Sequence, residues 1–244
     1  MTVKDLFGKL FRRVFRILLW AFLLSNIYLV ICKWIMPPVT LTQLGSLFGG
    51  YGLKRDYVSY SEISPAPKLA AMASEDQLFA DHGGFDWRSL EKSMQAKPGK
   101  SKKVRGAGAS TISQQVAKNV FLWQGSGIGR YIRKVPELYY TKMIEWIWGK
   151  ERILEVYLNI AEMGPGIFGI EAASQAYFKK PAIHMSRQEA AMVIACLPSP
   201  KRYTVVPMSR WVSWRYPRVL QQMRNIEVDP DVQKLVHSGK AAKK

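Results

Sequence analysis

The most pronounced pattern along the chain is an apolar run from Ile17 to Cys32 that contains no charge, carried on by Trp34, Ile35 and Met36 past a single Lys33. At about 1.5 Å of rise per residue, the stretch 17–36 reaches roughly 30 Å as a helix, the depth of one hydrocarbon core, and predicts a transmembrane helix. Lys33 can snorkel to the interface. A cleaved signal peptide would be shorter and would end in small residues, which Met36-Pro37-Pro38-Val39 does not provide. Lys4, Lys9, Arg12, Arg13 and Arg16 precede the run, so the positive-inside bias assigns 1–16 to the cytoplasm and everything beyond Pro37 to the opposite side.

Past the span the pattern weakens. Residues 37–66 hold only a faint alternation around Tyr57-Val58-Ser59-Tyr60 and are expected to form a tether, closed by Pro65-Ala66-Pro67. From 67 to 228 helical periods dominate and define the main domain. A short Ala-rich helix is expected over 67–75 and another over 87–97, followed by a basic, breaker-rich segment at 97–108 that reads as a flap able to order over an anion. Thr111 and Gln114 fit a capping box opening a helix whose Ile112, Val116 and Val120 share one face. Phe121-Leu122-Trp123, beside the glycines at 125–129, reads as an exposed apolar triplet that touches the bilayer. Further helices are expected at 130–148, 150–163 and 171–178. Two more follow, at 187–197 behind a Ser186/Glu189 capping box and at 211–224, the latter bent or split at Pro217. Residues 229–244 are expected to be a tail, disordered from 238 onward. With no repeat and no firm strand alternation, the fold class is mainly α.

Charge narrows the partner. The 244 residues carry 36 Lys+Arg against 18 Asp+Glu, a net charge of +18 that calls for an anionic partner: nucleic acid, an acidic membrane surface or a phosphorylated substrate. Because the bulk of the chain is expected beyond the membrane, nucleic acid is excluded. The two cysteines, Cys32 and Cys196, both sit inside apolar runs, and no Cys/His cluster points to zinc.

Candidate chemistry starts at 74–86, where Glu75, Asp76, Asp81, His82 and Asp86 crowd an apolar, Ala-rich neighbourhood. A helix end delivering Glu75 and Asp76 against apolar residues is the setting that raises a carboxylate toward the range of a general base, although a solvated helix end has the same sequence. Ser110, Gln114 and Lys118 follow at spacings of four, a polar stripe near a helix N-terminus suited to phosphate oxygens, or simply a solvent-facing one. Arg133 and Glu137, also four apart, fit a surface ion pair as well as a site.

Taken together these residues resemble a known family. Glu75-Asp76-x-x-Phe79-x-x-His82-x-Gly84-Phe85-Asp86, Gly108-x-Ser110-Thr111-Ile112-x-Gln114-Gln115-x-x-Lys118-Asn119, Arg133-Lys134-x-x-Glu137, Ile153-Leu154-Glu155-x-Tyr157-Leu158-Asn159 and Glu189-Ala190-Ala191 with Leu197-Pro198-x-Pro200 look like the ordered motifs of glycosyltransferase family 51. The chain ends soon after, without room for a penicillin-binding domain, so the expected relatives are the monofunctional biosynthetic peptidoglycan transglycosylases of bacteria. The resemblance implies a lysozyme-like fold with a membrane-associated lobe, an inner-membrane anchor with a periplasmic catalytic domain, and polymerisation of lipid II into β-1,4-linked glycan strands with release of undecaprenyl diphosphate. It implies Glu75 as the base that deprotonates the acceptor 4-hydroxyl and Glu137 as a second essential carboxylate aiding diphosphate departure. Asp76, Ser110, Gln114, Gln115, Lys118, Asn119, Arg133 and Lys134 are then substrate-binding. The implied partners are lipid II, the growing lipid-linked chain, the membrane and other cell-wall synthesis proteins. A divalent cation, Mg or Mn, is an optional companion of the diphosphate, with no metal ligands assigned. Leu78 departs from the family pattern, which is commonly basic there, and shifts load to Lys118, Arg133 and Lys134. A lysozyme-like hydrolase and a non-catalytic anchored scaffold are the competing functions.

Overall fold

The computed structural model describes residues 3–87, 91, 110–123 and 127–239. The expected flap at 97–108 and most of the expected helix at 87–97 lie outside the described residues. The chain divides into two units, Met1–Met36 and Pro37–Lys244. The first is one helix, α1 (Val3–Ile31), of which Phe7–Ile31 is long and apolar enough to cross a membrane, with a mean hydropathy of 2.1. It starts earlier and stops sooner than the expected 17–36: the basic segment is helical from Val3, and the helix gives way to a turn after Ile31, ahead of Pro37 and Pro38.

The second unit runs, in chain order, α2 (Leu41–Phe48), β1 (Lys54–Arg55), a 3-10 turn (Tyr60–Glu62), α3 (Pro65–Glu75), α4 (Ile112–Phe121), α5 (Ile128–Ile147), α6 (Lys150–Ile160), β2 (Glu162–Gly164), β3 (Ile167–Phe168), α7 (Ile170–Phe178), a second 3-10 turn (Ala182–His184), α8 (Arg187–Cys196), α9 (Arg210–Ile226) and α10 (Pro230–His237). The class is mainly α, as the periodicity predicts. At its centre is α3, begun by Ser64 and by prolines in the first turn, where a missing N–H costs nothing. Ala66, Ala70, Ala71 and Ala73 keep this helix thin and are all buried, so α8 and α9 pack closely on it and α6 and α10 complete its surround. The core continues through Phe79, Ile112, Tyr157, Leu158 and Phe168, each fully buried and each contributing about 1.5–3 kcal/mol over its exposed state. One helix layer away, α4 packs between α5 and α6.

Three expectations need correction. Residues 37–66 are not a bare tether: Thr40 opens α2 with a full capping box, and β1 pairs parallel to β3, Lys54 opposite Ile167 and Arg55 opposite Phe168, with β2 antiparallel on the other side of β3. Asn159 pins the same segment by accepting from the Val58 N–H at 2.9 Å and donating to the Val58 carbonyl at 2.9 Å. Residues 229–244 are not all tail, since Asp229 caps α10, whose Val232 and Val236 are buried and whose Leu235 carbonyl accepts from the Tyr60 hydroxyl at 2.8 Å. The triplet at 121–123 is only partly exposed: Phe121 stacks on Tyr140 with ring centroids 4.8 Å apart, Leu122 is buried, and Trp123 alone faces out. Smaller differences are that α6 gives way to β2 after Ile160 and that α9 runs unbroken through Pro217.

Candidate active site

Glu75 is the last residue of α3, so its half-buried carboxylate sits at the negative end of the helix dipole. Ser74 Oγ donates to it at 3.1 Å and Gln115 Nε2, from α4, at 3.2 Å. Its pKa is raised above the ordinary carboxylate value, chiefly by burial and secondarily by the Asp76 charge, while the Gln115 bond, the Arg215 guanidinium and Ser74 oppose the rise. The outcome is a carboxylate poised to take up a proton.

Asp76, expected to bind substrate, is committed to the scaffold. Its carboxylate accepts the Ile112 N–H at 3.0 Å, satisfying a donor that the start of α4 would otherwise leave orphaned, and lies 2.9 and 3.0 Å from His82 Nε2. His82 Nδ1 accepts from the Gly84 N–H at 3.0 Å, so the ring proton belongs on Nε2, toward Asp76. The Gly84 carbonyl in turn accepts from Thr111 Oγ1 at 2.7 Å. Of the ionisable cluster at 74–86, then, Glu75 reaches α4 through Gln115, while Asp76 and His82 lock the loop to the N-terminus of α4.

That lock aims the α4 stripe into a cavity of about 320 Å³ lined by Ser110, Gln114, Gln115, Lys118, Tyr131, Arg133, Lys134 and Glu137. Gln114 spends its carbonyl oxygen on the Thr111 N–H in the capping box, which leaves its amide nitrogen as the group it can offer. Arg133 and Glu137 are no surface pair, at 7% and 2% exposure. Glu137 accepts from Lys134 Nζ at 2.5 Å and lies 3.5 Å from Arg133 Nε, which makes no hydrogen bond although it is buried; Arg133 is anchored instead through the Trp123 carbonyl at 2.9 Å. Among the described residues no acceptor takes a hydrogen bond from the Lys118 ammonium, and its pKa is lowered, first by burial and then by Arg133 and Lys134, against the pull of Glu137. Three cations around one carboxylate, with a bare ammonium and an unsatisfied buried guanidinium N–H, make a receptacle for an anion of more than one charge.

A second cavity, about 460 Å³, shares Gln115 and Lys118 with the first and extends past Asn119, Tyr157, Glu162, Thr42 and the 197–201 turn. Gln115, which touches Glu75, therefore stands at the junction of the two. The expected site residues Ser110, Gln114, Gln115, Lys118, Asn119, Arg133, Lys134 and Glu137 are brought together along these cavities, with Glu75 against Gln115. Leu78 lies elsewhere, in a concavity with His82, Phe85 and Trp87. Sequence reasoning missed Thr42, Tyr157, Glu162, Lys201 and Arg215. Of these only Tyr157 lay inside a recognisable motif. Among the described residues no three His, Cys, Asp or Glu side chains cluster as potential metal ligands, and the oxygens of Glu137 face Arg133 and Lys134.

The model of the family described as Transglycosylase matches residues 42–224. A biosynthetic peptidoglycan transglycosylase of Pseudomonas aeruginosa is 40% identical over 88% of this chain and 92% of its own length. Proteins of the same name from Mannheimia succiniciproducens and Escherichia coli are 48% and 47% identical, over 78% and 75% of this chain and 76% and 74% of theirs. With most of its length inside the family match and relatives this similar, the chain belongs to the transglycosylase family.

Proposed function

We propose that this protein is a membrane-anchored peptidoglycan glycosyltransferase that polymerises lipid II, its N-terminus cytoplasmic and its catalytic unit periplasmic. The observation that carries the reading is the cavity in which Lys118, Arg133 and Lys134 converge, one glutamine away from a carboxylate with a raised pKa. Glu75 removes the proton from the 4-hydroxyl of the acceptor sugar as that oxygen attacks the anomeric carbon of the lipid-linked donor. The new β-1,4 bond forms as the anomeric bond to the diphosphate breaks, and the electron pair leaves with the diphosphate. Lys118, Arg133 and Lys134 stabilise the negative charge that grows there, in a partly enclosed cavity where such stabilisation is stronger than in water. Glu137 holds the two neighbouring cations in place and keeps the pocket from being a cluster of unopposed positive charges. The second cavity, reached across Gln115 and Lys118, has the size and polar lining to seat sugar units.

The test is to incubate the purified protein separately with lipid II and with finished, uncrosslinked glycan strands. Polymer from lipid II and intact strands are expected, because internal glycosidic bonds offer no diphosphate for the cations to stabilise. Strand cleavage without polymerisation would overturn the reading in favour of a hydrolase with paired carboxylates. Binding without either product would make the protein a scaffold.

A further inference from the structure

The base reading of Glu75 leaves one group behind it unexplained. Arg215 lies on α9, outside every motif, yet its Nη2 donates to Ser74 Oγ at 3.0 Å, and that hydroxyl donates to Glu75 Oε1 at 3.1 Å. We propose that Arg215 is a positioning residue: through Ser74 it orients the Glu75 carboxylate and holds a fixed positive charge behind it. The inference rests on Glu75 being the base.

The surroundings of Glu75 make this guanidinium decisive. Its neighbours on other elements are Gln115 on α4, Tyr157 on α6, Cys196 on α8 and Arg215 on α9, with Asp76 next in the chain. Gln115 carries no charge. Tyr157 stays neutral, its pKa well above the usual tyrosine value through burial, and so does Cys196, pushed up to about 12 by the same cause. Asp76 is negative and favours protonation of Glu75. Among the described groups that act on Glu75, Arg215 is thus the cation set against burial and Asp76. The Ser74 hydroxyl can donate its single proton to Glu75 only while its lone pairs are turned elsewhere, and Arg215 occupies one of them. The same contact that brings positive charge near the carboxylate also fixes which way the hydroxyl points.

Two successive hydrogen bonds put the guanidinium nitrogen within about 6 Å of the carboxylate oxygen. For a partly solvated pair at that range, removing the charge moves a carboxylate titration by about one pH unit. A base is active when deprotonated, so its rate falls as pH drops through its pKa; losing Arg215 raises that pKa and moves the acidic limb toward higher pH.

The experiment is the pH dependence of kcat/KM for lipid II polymerisation by the full-length protein. Arg215→Met should shift the acidic midpoint up by about one unit and regain the wild-type plateau at high pH, while Arg215→Lys, which keeps the charge, should restore most of the limb. A rate lowered equally at all pH values with an unmoved midpoint would mean that Arg215 only supports the fold, and would overturn the proposal. If Arg215→Met does not fold, Ser74→Ala decides, because cutting the bridge should give a smaller shift of the same sign and an unmoved limb would again overturn it. Glu75→Gln separates this from the underlying reading. Near-normal turnover by that variant removes Glu75 as base, whereas loss of turnover together with an unmoved Arg215→Met limb removes only the role of Arg215.

Discussion

A carboxylate whose ionised form is opposed by burial stores part of its catalytic readiness as lost stability. Glu75 has a folded-state pKa above the ordinary value, so between the two values the folded protein binds more protons than the unfolded one. The stability Glu75 contributes is therefore full below its unfolded pKa and is lost as pH rises through the folded one. Glu75→Gln, which never ionises, is expected to unfold at a higher temperature than wild type near pH 7.5, with the gap closing as pH is lowered toward 4.5; thermal melts across that range check it. The same substitution should cut polymerisation by ~10²–10⁴, the loss typical of an absent general base. A stabilised variant that kept more than about a tenth of normal turnover would sink the assignment. Lys118 supplies the matching test on the anion side. Lys118→Ala should lower kcat/KM for lipid II by about 10²-fold, because it removes a donor aimed at charge that grows in the transition state, while Arg224→Ala, at an exposed position, should change it less than about twofold. Equal losses would reduce the cavity to a bulk charge effect. Both residues were legible in the sequence because local spacing exposes them: Glu75 ends an Ala-rich helix, and Lys118 follows Gln114 by one turn. Arg215 and Asn159 were not legible in their roles, since they act on residues 141 and 101 positions away, and nothing local marks such a partner.

The elements were readable where their ends carry chemistry. Thr111-x-x-Gln114 and Ser186-x-x-Glu189 each form the capping box their sequence predicts. Thr40-x-x-Gln43 forms one too and opens α2, yet the signal is hidden in a short uncharged stretch with Gly45 inside the helix, and the helix shows only through its packing. Strands of two or three residues are too short for alternation to declare them, which is why β1, β2 and β3 came as a correction. Thr111 gives this scale its prediction. Its hydroxyl oxygen accepts from the Gln114 N–H at 3.2 Å and its proton goes to the Gly84 carbonyl at 2.7 Å, so one side chain caps α4 and ties it to the loop that follows Glu75. Thr111→Ala should cost about 2 kcal/mol and lower Tm by roughly 4–8 °C, whereas Thr111→Ser should recover most of both. Because the cap aims Ser110, Gln114 and Lys118, turnover should fall further than the stability loss explains at a temperature where both proteins are folded. Unchanged turnover in a folded Thr111→Ala would show that the cavity does not depend on how α4 begins.

At the scale of the whole molecule the issue is what the apolar helix does for the catalytic unit. The segment that follows the span is held by bonds into its own unit: β1 on β3, Val58 on Asn159, the Tyr60 N–H on Glu155 at 2.8 Å and the Tyr60 hydroxyl on the Leu235 carbonyl. Each of those ties lies within Pro37–Lys244, so they are expected to survive deletion of residues 1–36, as are α3 and the helices packed around it. The same unit exposes Phe48 at 83%, Val135 at 73% and Trp146 at 80%, apolar surface that seeks detergent or lipid. A protein beginning at Pro37 is therefore expected to fold, with a cooperative melt and helical circular dichroism, and to need detergent to stay dispersed. Its polymerising activity should be reduced but measurable. The described residues that line the two cavities all belong to Pro37–Lys244, and the span is expected to keep the enzyme in the two-dimensional phase where a lipid-linked substrate is concentrated. The loss should accordingly appear mainly in the apparent KM and should shrink as lipid II is crowded into fewer micelles, since that restores by concentration what the anchor supplied by tethering. Complete unfolding on truncation would show that α1 belongs to the core of the catalytic unit, and a kcat that fell while KM held would show that the helix shapes the site itself.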